Sequence, residues 1–206
     1  MIDSGLDYNH PENPMKKIGA NTTEIPGIDD DKNGFVDDVM GWNFMEGNNN
    51  PWDNDGHGTF TAGIIAATTN NGEGIAGINR GVKIMPIRAL NFLGRGASSH
   101  MAKALVYAAD NGARVINISI EQLEMEKSKT LQWAVDYAYK KGALIVVAAG
   151  NQGHDTATIS PSGLEHVITV AATDHEDKRM GFSNWGKDIK ISAPGEEILS
   201  LRARRT

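Results

Sequence analysis

Ala143-Leu144-Ile145-Val146-Val147-Ala148-Ala149 is an apolar run bracketed by Gly142 and by Gly150-Asn151. A short, unbroken apolar run with a turn signal at each end reads as a strand covered on both faces, the habit of parallel sheets. Just upstream, residues 128–141 place Leu131, Ala134, Val135 and Ala138 at helical spacing, and Gly142 stops the helix. Before that helix, Val115-Ile116-Asn117-Ile118-Ser119-Ile120 is a β-branched strand. Ser98 is expected to cap another helix with Met101, Leu105 and Ala108 on one face, closed by Asn111-Gly112. Further strands are expected at 39–44, 82–88, 166–172 and 189–193. Strands alternating with helices predict an α/β fold: a doubly wound, mostly parallel sheet with helices on both faces.

Composition narrows the function. The chain has 206 residues, which suits one domain, 1–206, with a substantial core. A net charge of −6 argues against nucleic acid or a membrane surface as partner. The absence of cysteine excludes a thiol nucleophile, thiolate metal sites and disulfides. No apolar run approaches the length of a membrane span.

In doubly wound sheets ligands bind outside the carboxyl ends of the strands. The residues there are Asp3, Ser119 to Gln122, and Gly150-Asn151, each polar after an apolar run. A second stretch supplies the proton chemistry: Asp55-Gly56-His57-Gly58-Thr59-Phe60-Thr61-Ala62-Gly63-Ile64-Ile65-Ala66-Ala67. It reads as a loop delivering an imidazole at the first turn of a buried helix, with a Gly/Ala face for close packing. Alone, His57 would be read as a capping residue. An acid, a histidine and an amide at one crevice form the layout of acyl-transfer catalysis.

These motifs resemble those of the subtilisin-like serine endopeptidases. Ile2-Asp3-Ser4-Gly5 resembles the family's aspartate motif, and His57-Gly58-Thr59 with Ala62-Gly63 its histidine motif. Val146-Val147-Ala148-Ala149-Gly150-Asn151 resembles the segment carrying the oxyanion-hole asparagine, and Phe182-Ser183-Asn184-Trp185-Gly186 and Ala193-Pro194-Gly195 follow in family order. The resemblance implies that Asp3 orients His57, that His57 moves the proton of a serine hydroxyl, and that the Asn151 amide donates to the oxyanion. In such enzymes that donor is worth about 3–4 kcal/mol. It also implies a peptide or protein substrate held between Gly94-Arg95-Gly96 and Ser119-Ile120 and bordered by Gly150, a possible propeptide, and a secreted or extracellular location.

The pattern also breaks. No Gly-Thr-Ser-Met-Ala-type segment occurs in the chain. Ser160 and Ser162 fall where the family has a structural turn, and Ser119 belongs to the substrate edge. The domain is therefore expected to be incomplete at both ends, lacking the start of its first strand and the serine-bearing helix. Losing that helix would expose apolar surface, so the chain alone is expected to be inactive and marginally folded. After Ser119-Ile120, Glu121-Gln122 stands where the family has glycine beside the pocket for the residue preceding the scissile bond. Two readings of Glu121 are open: it narrows the pocket or selects a basic residue, or it turns to solvent.

Asp29, Asp31, Asn33 and Asp37 stand at offsets 1, 3, 5 and 9 with Gly34 at 6, as at the start of a calcium loop, but position 12 is Met40. Five aspartates against one lysine favour a cation, and the family often carries structural calcium. A weaker second site would use Glu12 with Asn70-Asn71. Gly72-Glu73-Gly74-Ile75-Ala76-Gly77 spells a dinucleotide fingerprint in the wrong context, helix before and strand after, and is expected to be a turn.

The leading expectation is a serine endopeptidase fragment. The alternatives are a non-catalytic subtilisin-like module that clamps peptides, and a fragment completed by another chain. Gene sequence beyond codon 206 discriminates: a Gly-Thr-Ser-type segment supports the first, a stop the others.

Overall fold

The alternation expected from the sequence is present in the computed structural model, which describes residues 1–11, 25–121 and 126–204. Glu12 and Gln122 lie outside the described residues. The chain forms two compact units, Met1–His100 with Leu199–Thr206, and Met101–Ile198.

The first unit contains β1 (Ile2–Asp3), β2 (Trp42–Asn43), α1 (His57–Ala66) and β3 (Ile87–Arg88). The three strands are parallel with β3 in the middle, Ile87 pairing both Ile2 and Trp42, and Arg88 pairing Asp3 and Asn43. β3 is shorter than the expected 82–88. Pro86 has no N–H to give to a ladder, so regular pairing begins only after it. Met1, Leu6, Ala62, Ala66 and Ile84 form one cluster of the unit's core, with Tyr8, Met40, Ile65 and Val82 packed against it.

The small residues of α1 do what their size allows. A Cβ on Gly58 would collide with the Gly5 carbonyl oxygen, and one on Gly63 would strike Leu201 and Ser200. The helix ends at Ala66 rather than near Thr68 because the chain doubles back. The amides of Gly77, Ile78 and Asn79 bond the carbonyls of Ala67, Ile64 and Ile65, which satisfies the helix's last acceptors. A Cβ at Gly77 would collide with the backbone of Ala66 and Ala67, so this glycine of the dinucleotide-like string serves a tight return.

Beyond α2 (Ser98–Asp110), whose Met101, Leu105 and Ala108 are buried, the second unit holds β4 (Val115–Ile118), α3 (Lys129–Lys140), β5 (Leu144–Ala148), β6 (Val167–Thr173) and β7 (Ile189–Pro194). Ser128 caps α3, its side chain accepting the Leu131 N–H. Ser98 is itself helical rather than a cap. The four strands pair in parallel in the order β4-β5-β6-β7. β4 stops at Ile118, two residues before the expected end.

Register separates the two faces of these strands. Ile116, Ile118, Ile145, Val147, Val167 and Ala171 share one face and are buried. Val115, Leu144, Val146, Ile168 and Ile191 share the other, where Val115 is 58%, Leu144 47% and Ile191 57% exposed. The apolar run 143–149 is therefore covered on one face and open on part of the other, against the expectation of burial on both. An unbroken apolar run reports the chemistry of both faces, but not whether anything lies over each.

Candidate active site

His57 opens α1, and Asp3 closes β1. The His57 Nδ1 lies 2.7 Å from Asp3 Oδ1; the imidazole is roughly half exposed and the carboxylate fully buried. Asp3 Oδ1 also accepts the Ser4 N–H at 2.7 Å, while Oδ2 is buried without a hydrogen-bond partner among the described residues. The hydrogen bond that His57 donates to Asp3 raises the His57 pKa, opposed by burial and reinforced by the charges of Asp3, Asp55 and Asp53. With Nδ1 engaged by an acid, Nε2 is the nitrogen left to exchange a proton with a substrate or nucleophile.

The residue that holds this geometry is Asp53, which sequence reading missed. Its Oδ1 accepts from the Ser4 hydroxyl at 2.8 Å and from the Asp55 and Gly56 amides at 3.1 and 2.9 Å. Its Oδ2 accepts from the Thr59 amide and hydroxyl at 2.8 and 2.6 Å. Ser4 Oγ in turn accepts the Gly58 N–H at 2.9 Å. One buried carboxylate thus ties the turn after Asp3 to the first turn of the His57 helix, where anions are favoured. Burial alone would raise its pKa, but bonds from the Thr59 side chain, the Gly56 and Thr59 amides and the Ser4 hydroxyl prevail and hold it below the ordinary value. The signal was present as an aspartate four residues before the histidine, but an acid near a helix start is common enough to pass unnoticed.

In the second unit, Asn151 follows β5 in an exposed turn, and its side chain carries no hydrogen bond among the described residues. The backbone beneath it is fixed by Asn184, which is fully buried. Asn184 Nδ2 donates to the Ala149 carbonyl at 2.9 Å, and Oδ1 accepts the Gln152 and His154 amides at 3.0 and 2.9 Å. Gly150 has φ +104, and a Cβ there would collide with Asn184 Nδ2 and with Glu121. Glu121 Oε2 accepts the Asn151 N–H at 2.7 Å, so the partly exposed carboxylate lies against the turn that carries Asn151.

The other sites differ in how far they are assembled. Gly94 has φ +68 in a turn closed by Asn91, whose Oδ1 accepts the Arg95 N–H and whose own N–H bonds the Arg95 carbonyl. Arg95 and Gly96 follow without regular structure and are exposed. Ser119 Oγ accepts from Asn117 Nδ2, and the Ile120 side chain is buried. Ser160 Oγ accepts the Ser128 N–H, a structural role.

In the acidic loop, Asp29 accepts the Asn33 and Gly34 amides, Asp31 accepts from Asn33, and both Asp37 oxygens take the Gly27 amide. Asp29, Asp31, Asn33 and Asp37 are thus turned to the loop's own N–H groups. Among the described residues no group of three acids or histidines is arranged to hold a metal.

Comparison with known proteins agrees with the geometry. The profile of the subtilase family (Peptidase S8) matches residues 1–206. The chain is 40% identical to a thermophilic serine proteinase of Bacillus sp. (strain AK1) over 97% of its own length and 44% of that protein. It is 43% identical to a cell wall-associated protease of Bacillus subtilis (strain 168), over 97% of this chain and 23% of that one. The crystal structure of a cold-adapted subtilisin-like serine proteinase superposes with a TM-score of 0.76 at 28% identity, covering 98% of this chain and 64% of the other. The chain therefore spans less than half the length of these two relatives.

Proposed function

The chain belongs to the subtilase family, and we propose that it is the part of a serine endopeptidase domain that carries the general base and its orienting acid. The observation that carries this reading is the 2.7 Å bond between His57 Nδ1 and the buried Asp3 carboxylate. Such a bond fixes the tautomer and stabilises the imidazolium formed when Nε2 takes a proton. Asn151 is proposed as the oxyanion donor: its unbonded side chain on a fixed backbone has the preorganisation that role requires. Gly94-Arg95-Gly96, Ser119-Ile120 and Gly150 are proposed to bind the peptide by strand-like hydrogen bonds.

No serine in residues 1–206 stands in the family's nucleophile motif. The 206-residue chain alone is therefore expected not to hydrolyse peptides. The open apolar strand face of the second unit supports the same reading. Labelling with a fluorophosphonate serine probe is the test: a labelled, active 206-residue chain overturns it, and labelling only when a serine-bearing segment is supplied supports it. Secretion is proposed by analogy with relatives such as the cell wall-associated protease.

A structural calcium ion in the loop 28–38 is a separate proposal, supported by the spacing of its oxygens. The amide bonds described above occupy only part of the acceptor capacity of Asp29, Asp31 and Asp37, so these carboxylates keep lone pairs for a cation. Calcium titration against melting temperature tests it, and no shift counts against it.

A further inference from the structure

β4 and β5 lie side by side in parallel, with Ile118 opposite Val147, so their carboxyl ends lie together on the edge that receives ligands in such sheets. Glu121 follows the first of these ends and Gly150-Asn151 the second. The Glu121 side chain crosses from one to the other. Its Oε2 accepts the Asn151 N–H at 2.7 Å, while among the described residues Oε1 meets only Gln152 Nε2, at a loose 3.4 Å. A Cβ on Gly150 would collide with Oε2, so the carboxylate lies against bare backbone. Glu121 is half-buried, and it forms no ion pair among the described residues. One oxygen is fixed by a backbone donor, and the other is weakly held, with no counter-charge among the described residues.

We propose that Glu121 makes the paired carboxyl ends of β4 and β5 a subsite for a basic side chain. The ammonium of a lysine or the guanidinium of an arginine pairs with Oε1 while Oε2 keeps its bond to Asn151. An apolar side chain gains no such contact and must lie against an anion that then loses solvent without a partner. An acidic side chain is repelled. The peptide context rests on the endopeptidase reading, but the cation site does not depend on catalysis and is testable on the chain as it stands.

The experiment is calorimetric titration of the 206-residue chain with benzamidinium and with uncharged benzyl alcohol, followed in parallel by amide NMR. Benzamidinium is expected to bind roughly tenfold more tightly than the alcohol, the scale of a charge-assisted hydrogen bond. Its binding should shift the Asn151 amide and Gln152 side-chain resonances and weaken with added salt. Glu121→Gln, which keeps an acceptor for Asn151, should abolish the preference without changing the melting temperature. Equal affinity for the two probes, no binding at millimolar concentration, or a preference that survives in Glu121→Gln overturns the proposal. Should that variant fail to fold, the two-probe comparison and the Asn151 shift in the unaltered chain still decide. Loss of the cation site would leave the Asp3–His57 reading intact, and failure of serine labelling in a completed domain would leave the cation site intact.

Discussion

Around His57 the reactive side chains themselves carry the hydrogen bonds, whereas around Asn151 the backbone is tied down and the side chain is left alone. Asp3 is engaged by His57 and Ser4, and Asp53 draws together Ser4, Gly56 and Thr59. At Asn151 the bonds run from Asn184 and Glu121 to main-chain groups. The difference follows from what each group must do. A base works only with one ring nitrogen held and the other presented, so its orientation must be specified through the side chain. A donor to a transient oxyanion is useful only if it is unspent in the resting state, so its position must be specified from below.

This contrast can be broken by substitution. The largest effect is expected at Asp53→Ala, which strips several buried donors of their acceptor and should lower stability by about 3–5 kcal/mol in urea unfolding. A loss under about 1 kcal/mol would show that the Asp53 network is incidental. Asn184→Ala should come next, at about 2–3 kcal/mol, because the Gln152 and His154 amides and the Ala149 carbonyl lose a buried partner. Hydrogen exchange at Gln152 and His154 should accelerate with it, while Ser4 and Thr59 stay protected.

Asp3→Asn tests the electrostatics rather than the scaffold. The bond to Asp3 raises the His57 pKa, so the variant's imidazole should titrate lower, as read by NMR. The sign for stability follows. A raised folded value means that the pair's stabilisation is full below the unfolded histidine value of about 6.5 and fades as pH climbs through the folded one. The urea midpoint of the unaltered chain should thus fall across that interval more steeply than that of Asp3→Asn. The smallest effect is expected at Asn151→Ala. Its exposed, unbonded side chain should leave stability unchanged within about 0.5 kcal/mol. A larger loss would mean that Asn151 is structural and would remove it as an oxyanion donor.

Much of this was legible in the residues. The helix at 129–140, expected over 128–141, and the strands flanking it follow from periodicity and turn residues, and the pairing of His57 with Asp3 is what the resemblance of their motifs to the subtilisin-like family implied. Asp53 and Asn184 were not legible, because buried acceptors and amides that serve distant main-chain groups leave no periodic trace. The strand at 82–88 was over-read because Pro86 interrupts a ladder that apolar spacing alone suggests.

Local sequence determined where strands and helices form, since capping, chain breaking and apolar period act within a few residues. It also determined which titratable groups are available for chemistry. Only the tertiary structure decided which face of the strands at 115–118 and 144–148 is covered and that Asp53 bears on His57. It likewise decided that Glu121 lies across the Asn151 amide. Each of these depends on what another segment brings to the same place, and such encounters are set by packing across long stretches of chain rather than by neighbours in sequence.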